Sequence, residues 1–170
     1  MKQHTLVAAI LAPTLIVSAC GEQSIEIPPT VRLGDSLCDH CNMIITDQRW
    51  ATATVVRGPR GPEARLFDDF NCQVNYEAKH PDAKVLARWS HSHTSSQWMR
   101  TEKSRFLLSP NLRTPMGSKL AAFESASDAE RAKVEVGGDV MTFETAWERL
   151  AAPVAPHESE HNSDHSSHPR

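Results

Sequence analysis

The stretch Gly58-Pro59-Arg60-Gly61-Pro62 limits the fold more than any other part of this chain. Proline holds φ near about −65° and glycine supplies the positive φ that side chains resist, so the backbone must reverse there. On either side lie runs with strand character, Thr52–Arg57, rich in Thr and Val, and Ala64–Phe67. Together they predict an antiparallel hairpin. Asp69 or Asn71 is placed to cap a helix running to about Lys79, which His80-Pro81 ends. Further strands are predicted at Lys84–Trp89, Gln97–Arg100 and Arg105–Leu108, and Met43–Thr46 is a short β-like run. Pro115-Met116-Gly117-Ser118 is a turn, and Lys119–Glu124 has no decisive period. Ser127 or Asp128 opens a helix to about Val134, closed near Gly137-Gly138, before a strand at Val140–Phe143 and a helix at Glu144–Leu150. Both halves read as a strand pair, a helix and a strand, an echo of elements rather than a sequence repeat.

The ends of the chain differ from this middle. Lys2 followed by the apolar stretch Leu6–Val17 is too short to span a bilayer comfortably and reads as an export signal. Val17-Ser18-Ala19-Cys20 has the form of a lipobox, so residues 1–19 are expected to be removed and Cys20 to be lipidated. Glu22 stands where an aspartate would favour the inner membrane, which points to an outer-membrane anchor facing the periplasm. Residues 20–34, with Pro28-Pro29, read as a tether, and residues 151–170, a tract of His, Ser, Pro and acids, as a disordered tail with nothing to bury. Without Lys2 the chain has 17 basic against 21 acidic side chains, the basic ones scattered among acids, which excludes a nucleic-acid binder.

Chemistry concentrates in Cys38-Asp39-His40-Cys41-Asn42-Met43, which places two thiols, an imidazole and a thioether within six residues. Thiolate and thioether sulfur are soft ligands that favour Cu(I), and Met43 tilts the motif towards copper. A Cys-x-x-Cys alone also fits a disulfide, a redox pair or a zinc knuckle. Zinc would need further ligands, for which His91 and His93 are the nearest candidates. A redox pair usually opens a helix, whereas Met43-Ile44-Ile45 is β-like. In an oxidising compartment a Cys38–Cys41 disulfide would compete with any metal.

Other sulfur and imidazole groups have plainer readings beside their sharper ones. Met116 lies in a turn instead of on an apolar helical face. Cys72, in the first helix, reads as a small buried apolar residue, with a helix-borne metal contact as the alternative. His91 and His93 either share one strand face as a metal pair or sit in a solvated loop. His157, His161, His165 and His168 recur through the tail and can capture metal by composition. Trp50, Trp89, Trp98 and Trp147, with Phe67, Phe106, Phe123 and Phe143, are expected in core or inter-lobe packing.

Three segments carry a resemblance. Cys38-Asp39-His40-Cys41-Asn42-Met43-Ile44-Ile45-Thr46, Thr114-Pro115-Met116-Gly117-Ser118-Lys119-Leu120-Ala121-Ala122-Phe123 and Gly137-Gly138-Asp139-Val140-Met141-Thr142-Phe143 resemble, in order, the signatures of the NosL family of copper lipoproteins. The likeness runs from about Asp35 to Leu150. It implies an α+β fold of two small ββαβ-like lobes packed together, divided here as 35–82 and 83–150, and a metallochaperone in place of an enzyme. It also implies one Cu(I) held by Cys41, Met43 and Met116, and delivery to nitrous oxide reductase or another periplasmic copper protein. Asn42 stands where the family commonly has glycine, and Asn tolerates left-handed backbone better than most residues. Cys38 is then a further metal candidate or a disulfide partner. Readings from other classes are a thiol–disulfide oxidoreductase using Cys38 and Cys41, and a zinc-binding lipoprotein.

Overall fold

The computed structural model describes residues 25–152. The signal segment, Cys20 and the four tail histidines lie outside the described residues. Among the described residues no helix is long and apolar enough to cross a membrane.

The hairpin forms as the turn requires. Strands β1 (Thr52–Gly58) and β2 (Gly61–Phe67) pair antiparallel, with Gly58 opposite Gly61 across a Pro59-Arg60 loop. The strand therefore starts earlier than Ala64 and takes in Pro62, opposite Arg57. This is tolerated because β2 lies at the sheet edge, where a residue lacking an N–H leaves no ladder bond unmade. Asp69 caps helix α1 (Phe70–Lys79), which ends at His80. Strands β3 (Val85–His91) and β4 (Trp98–Arg100) complete a four-stranded sheet in the order β2-β1-β3-β4. β3 hydrogen-bonds along β1, and the 3₁₀ turn Thr101–Lys103 leads from this sheet to the next.

The second sheet has the order β6-β5-β7, from β5 (Arg105–Leu108), β6 (Leu120–Phe123) and β7 (Asp139–Met141). Helix α2 (Ala126–Val136) joins β6 to β7, and α3 (Phe143–Ala151) closes the described chain. The cap of α2 is Ser125, two residues before the expected Ser127. Its hydroxyl accepts from the Asp128 backbone N–H at 3.1 Å and donates to that carboxylate at 2.7 Å, so Ser125 caps the helix and holds Asp128 in its first turn. The ββαβ pattern is complete in the second sheet, and the first adds a fourth strand.

Alternation along β5 sends Phe106 and Leu107 to opposite faces. Leu107 packs with Trp50, Phe123 and Ala129 under α2, while Phe106 packs with Phe70, Leu120 and Ala146 between α1 and α3. Phe70 meets Phe106 edge to face at 5.5 Å, so α1 packs against both sheets. The α1 face over the first sheet is stitched by polar groups. Gln73 Nε2 donates to Ala53 O and Thr54 Oγ1 at 3.0 and 2.9 Å, and Thr54 Oγ1 donates to Glu77 Oε1 at 2.7 Å.

Arg88 on β3 donates to both Glu77 oxygens, at 2.6 and 3.0 Å, and lies over the Trp147 ring at 4.9 Å. Its side chain is 21% exposed and that of Glu77 11%. Replacing Arg88 by Met leaves the Glu77 charge largely buried and without its main partner. Thermal or urea unfolding should show a loss of about 3 kcal/mol.

Candidate metal centre

The Cys38–Met43 segment is a tight loop between Leu37 and Ile44, which form a β-bridge. The Cys38 N–H donates to Met43 O and the Asn42 N–H to Cys38 O, both at 2.9 Å. Asn42 turns the chain with φ +60°, the left-handed geometry expected of it. Met43–Thr46 makes only this bridge and no longer strand. Neither cysteine of the pair opens a helix.

Asp39 fastens the loop to the open edge of β2. Its N–H donates to Leu66 O at 2.8 Å, and its carboxylate accepts the Leu66 N–H at 2.6 Å. The edge strand's free backbone groups become the anchor of the cysteine loop, and the edge is covered in the process.

Cys72 lies in the first turn of α1, and the three sulfurs converge. The Sγ atoms of Cys38, Cys41 and Cys72 all lie within 4.8 Å of one another. All three are free thiols; Cys38 and Cys72 are buried and Cys41 is half-buried. Phe67, Ile45 and Ala51 surround them, with Met116 and Tyr76 packed at the edge.

Asp69 holds the second sulfur-bearing segment in place. One carboxylate oxygen accepts from the backbone N–H groups of Asn71 and Cys72 at 2.7 and 3.4 Å, capping α1. The other accepts from those of Met116 and Ser118 at 3.0 and 3.2 Å. Asn71 Nδ2 adds a bond to Met116 O at 2.9 Å. The turn around Met116, with Gly117 at φ +72°, is thereby fixed to the helix that carries Cys72.

Electrostatics within the triad are uneven. The Cys72 thiol donates to Cys38, and with the N–H groups of Cys41, His40 and Asp68 it overcomes burial and brings Cys38 down to about 5. The same bond and burial push Cys72 up, and burial pushes Cys41 up. The donors thus favour a thiolate at Cys38 over one at either neighbour.

Asp68 is buried beside this thiolate, and its Oδ1 has no hydrogen-bond partner among the described residues. Burial first, then the negative charges of Cys38 and Asp69, raise its carboxyl to about 6 from an ordinary 3.8. A raised carboxyl favours folding while protonated, and that benefit is lost as pH rises through about 6. The melting temperature of Asp68→Asn should therefore exceed the parent's by a margin that widens from about pH 5 to pH 8. A constant gap would show that Asp68 is not ionising in the fold.

The other candidate residues are distributed differently. Met43 is 54% exposed beside exposed Leu37 and Ile44. His91 and His93 do not join the cysteines. His91 is buried against Trp98 with Nδ1 2.9 Å from Ala51 O, and His93 packs on Trp50 and Phe123. Burial lowers the pKa of both imidazoles, which serve as packing groups. Two residues important to the site were absent from the sequence reading in these roles. Asp69 was expected only as a helix cap, and Asp39 was not singled out.

An α+β fold that brings three cysteine sulfurs together, from a loop and a helix start, defines a candidate metal-handling protein. The NosL family model matches residues 31–150, and the chain belongs to that family. Comparison with the curated proteins returns no match. Among solved structures, the crystal structure of the copper chaperone NosL from Shewanella denitrificans aligns with a TM-score of 0.57 at 14% identity. The alignment covers 70% of this chain and 94% of that one, a likeness of fold.

Proposed function

We propose that this protein is a Cu(I)-binding metallochaperone. The observation that carries the reading is the meeting of three sulfurs from two distant segments, Cys38 and Cys41 from the loop and Cys72 from α1, with Met116 packed against that cluster. Soft sulfur donors with low coordination numbers suit Cu(I) better than harder ions. The outer ligands are Cys41, Met43 and Met116, one thiolate and two thioethers. Thioethers bind weakly one at a time, so a partner's ligands can displace them in sequence without leaving the ion bare. Copper is cargo here, and the protein catalyses no bond change.

The lipobox at Cys20 and the export signal support a lipid-anchored protein facing the periplasm, on the outer membrane. The family and its solved copper chaperone support a copper acceptor as partner; that the acceptor is a periplasmic copper protein, nitrous oxide reductase first, is our reading of the sequence resemblance. The deciding experiment is an anaerobic competition titration of the reduced protein with Cu(I) and Zn(II), followed by transfer to apo nitrous oxide reductase. One tight Cu(I) per chain, preferred over Zn(II) and passed to the enzyme, is the expected result. Stronger retention of Zn(II) would overturn the copper reading; tight copper that never transfers would overturn the chaperone reading.

A further inference from the structure

Resting on the Cu(I) reading above, we infer that Cys38, Cys41 and Cys72 form a second, interior copper position. Cys41 belongs to both positions, so the ion moves between the buried thiols and the surface thioether across this one sulfur.

Spacing is the first support. A trigonal ion with metal–sulfur bonds of about 2.3 Å, the length found for zinc thiolates, sets its sulfurs about 4 Å apart. Three sulfurs already within 4.8 Å need only a small closure to meet it.

Burial is the second. Cys38 is 0% and Cys72 1% exposed, Cys41 is half-buried, and Met43 is 54% exposed. Exposure thus rises from Cys38 and Cys72 through Cys41 to Met43, with Cys41 intermediate. Met116 and Tyr76, both partly buried, pack against the cluster that holds Cys38 and Cys72.

The third support is the placement of Cys72 in the first turn of the ten-residue helix α1, where the helix dipole favours negative charge on a ligating sulfur. The exchange itself is simple. A sulfur–copper bond forms as another breaks, each entering thiol gives its proton to water, and copper stays Cu(I) throughout.

The test separates thiols from thioethers in the reduced full chain under anaerobic conditions. Cu(I) affinity is read by competition with a chelator, and release by stopped flow into excess chelator. The double variant Met43→Leu/Met116→Leu should keep one Cu(I) within about tenfold of the parent affinity and release it more slowly. Cys38→Ala and Cys72→Ala should each weaken binding about a hundredfold or more and release faster, with thermal melting as the folding control. Loss of copper in the double methionine variant, with parent-like affinity in both alanine variants, would overturn the interior site and leave the Cys41, Met43 and Met116 reading intact. A parent that binds no Cu(I) would overturn the proposed function itself. The methionine variant leaves the triad untouched, so its result stands even if an alanine variant fails to fold.

Discussion

Cys41→Ser is expected to reduce Cu(I) affinity by about a hundredfold to a thousandfold while leaving the fold intact. Apparent binding energies of about 10–16 kcal/mol for four-ligand thiolate and imidazole sites amount to roughly 2.5–4 kcal/mol per ligand. That range corresponds to two to three decades in affinity at about 1.4 kcal/mol each. A hydroxyl is a hard donor and does not replace a soft thiolate. Cys41 is half-buried and the exchange removes little volume, so the melting temperature should stay near the parent's. The pH dependence gives a second readout. Burial holds the Cys41 thiol above its ordinary 9.0, so at neutral pH ligation must displace its proton. Affinity of the parent should rise with pH, by about tenfold per unit for each proton displaced, and level off as the thiols ionise. The slope should fall by one proton in Cys41→Ser. Parent-like affinity in Cys41→Ser, measured by chelator competition, would remove this residue from the site.

The second large effect is expected at Asp69. Its carboxylate is buried and accepts four backbone N–H groups, two opening α1 and two from the Met116 turn. Asp69→Ala removes a helix cap worth about 1 kcal/mol and strands the turn's donors at about 1–3 kcal/mol each. The sum, about 3–7 kcal/mol, is a large part of a typical domain's stability. Asp69→Asn divides the two roles. Its single carbonyl oxygen can still cap α1, but its amide cannot accept from Met116 and Ser118. This variant should fold, keep the thiol triad and release the turn. The expected result is modest destabilisation on urea unfolding together with altered copper-release kinetics, because Met116 loses its fixed position. Asp69→Asn with parent stability and parent release would show that the turn is held by other contacts.

The two aspartates of Asp68-Asp69 illustrate what local sequence can and cannot reveal. The helix-capping role of Asp69 was legible because a cap bonds N–H groups two and three residues away. Its hold on residues 116 and 118 was not, because nothing in the intervening sequence specifies that the second oxygen meets a turn more than forty residues on. Cys72 likewise reads as a small buried apolar residue, with a helix-borne metal contact as the alternative; it is buried, and its sulfur faces two others. His91 and His93 had the right spacing for a metal pair and are instead packed against different tryptophans.

What the sequence determined by itself was what local sterics and hydrogen bonding decide. The Gly58–Pro62 reversal, the start of α1 at Asp69, the glycine stop near Gly137 and the left-handed turn at Asn42 each depend on a few neighbouring residues. The family signatures added the sulfur ligands expected at Cys41, Met43 and Met116. Tertiary structure alone decided which sheet took β3 and β4, how the loop docks on β2 through Asp39, and that Cys72 joins Cys38 and Cys41. These outcomes depend on pairing and burial between residues far apart in the chain. Their energy comes from satisfying buried backbone donors and removing apolar surface from water, which no local pattern encodes.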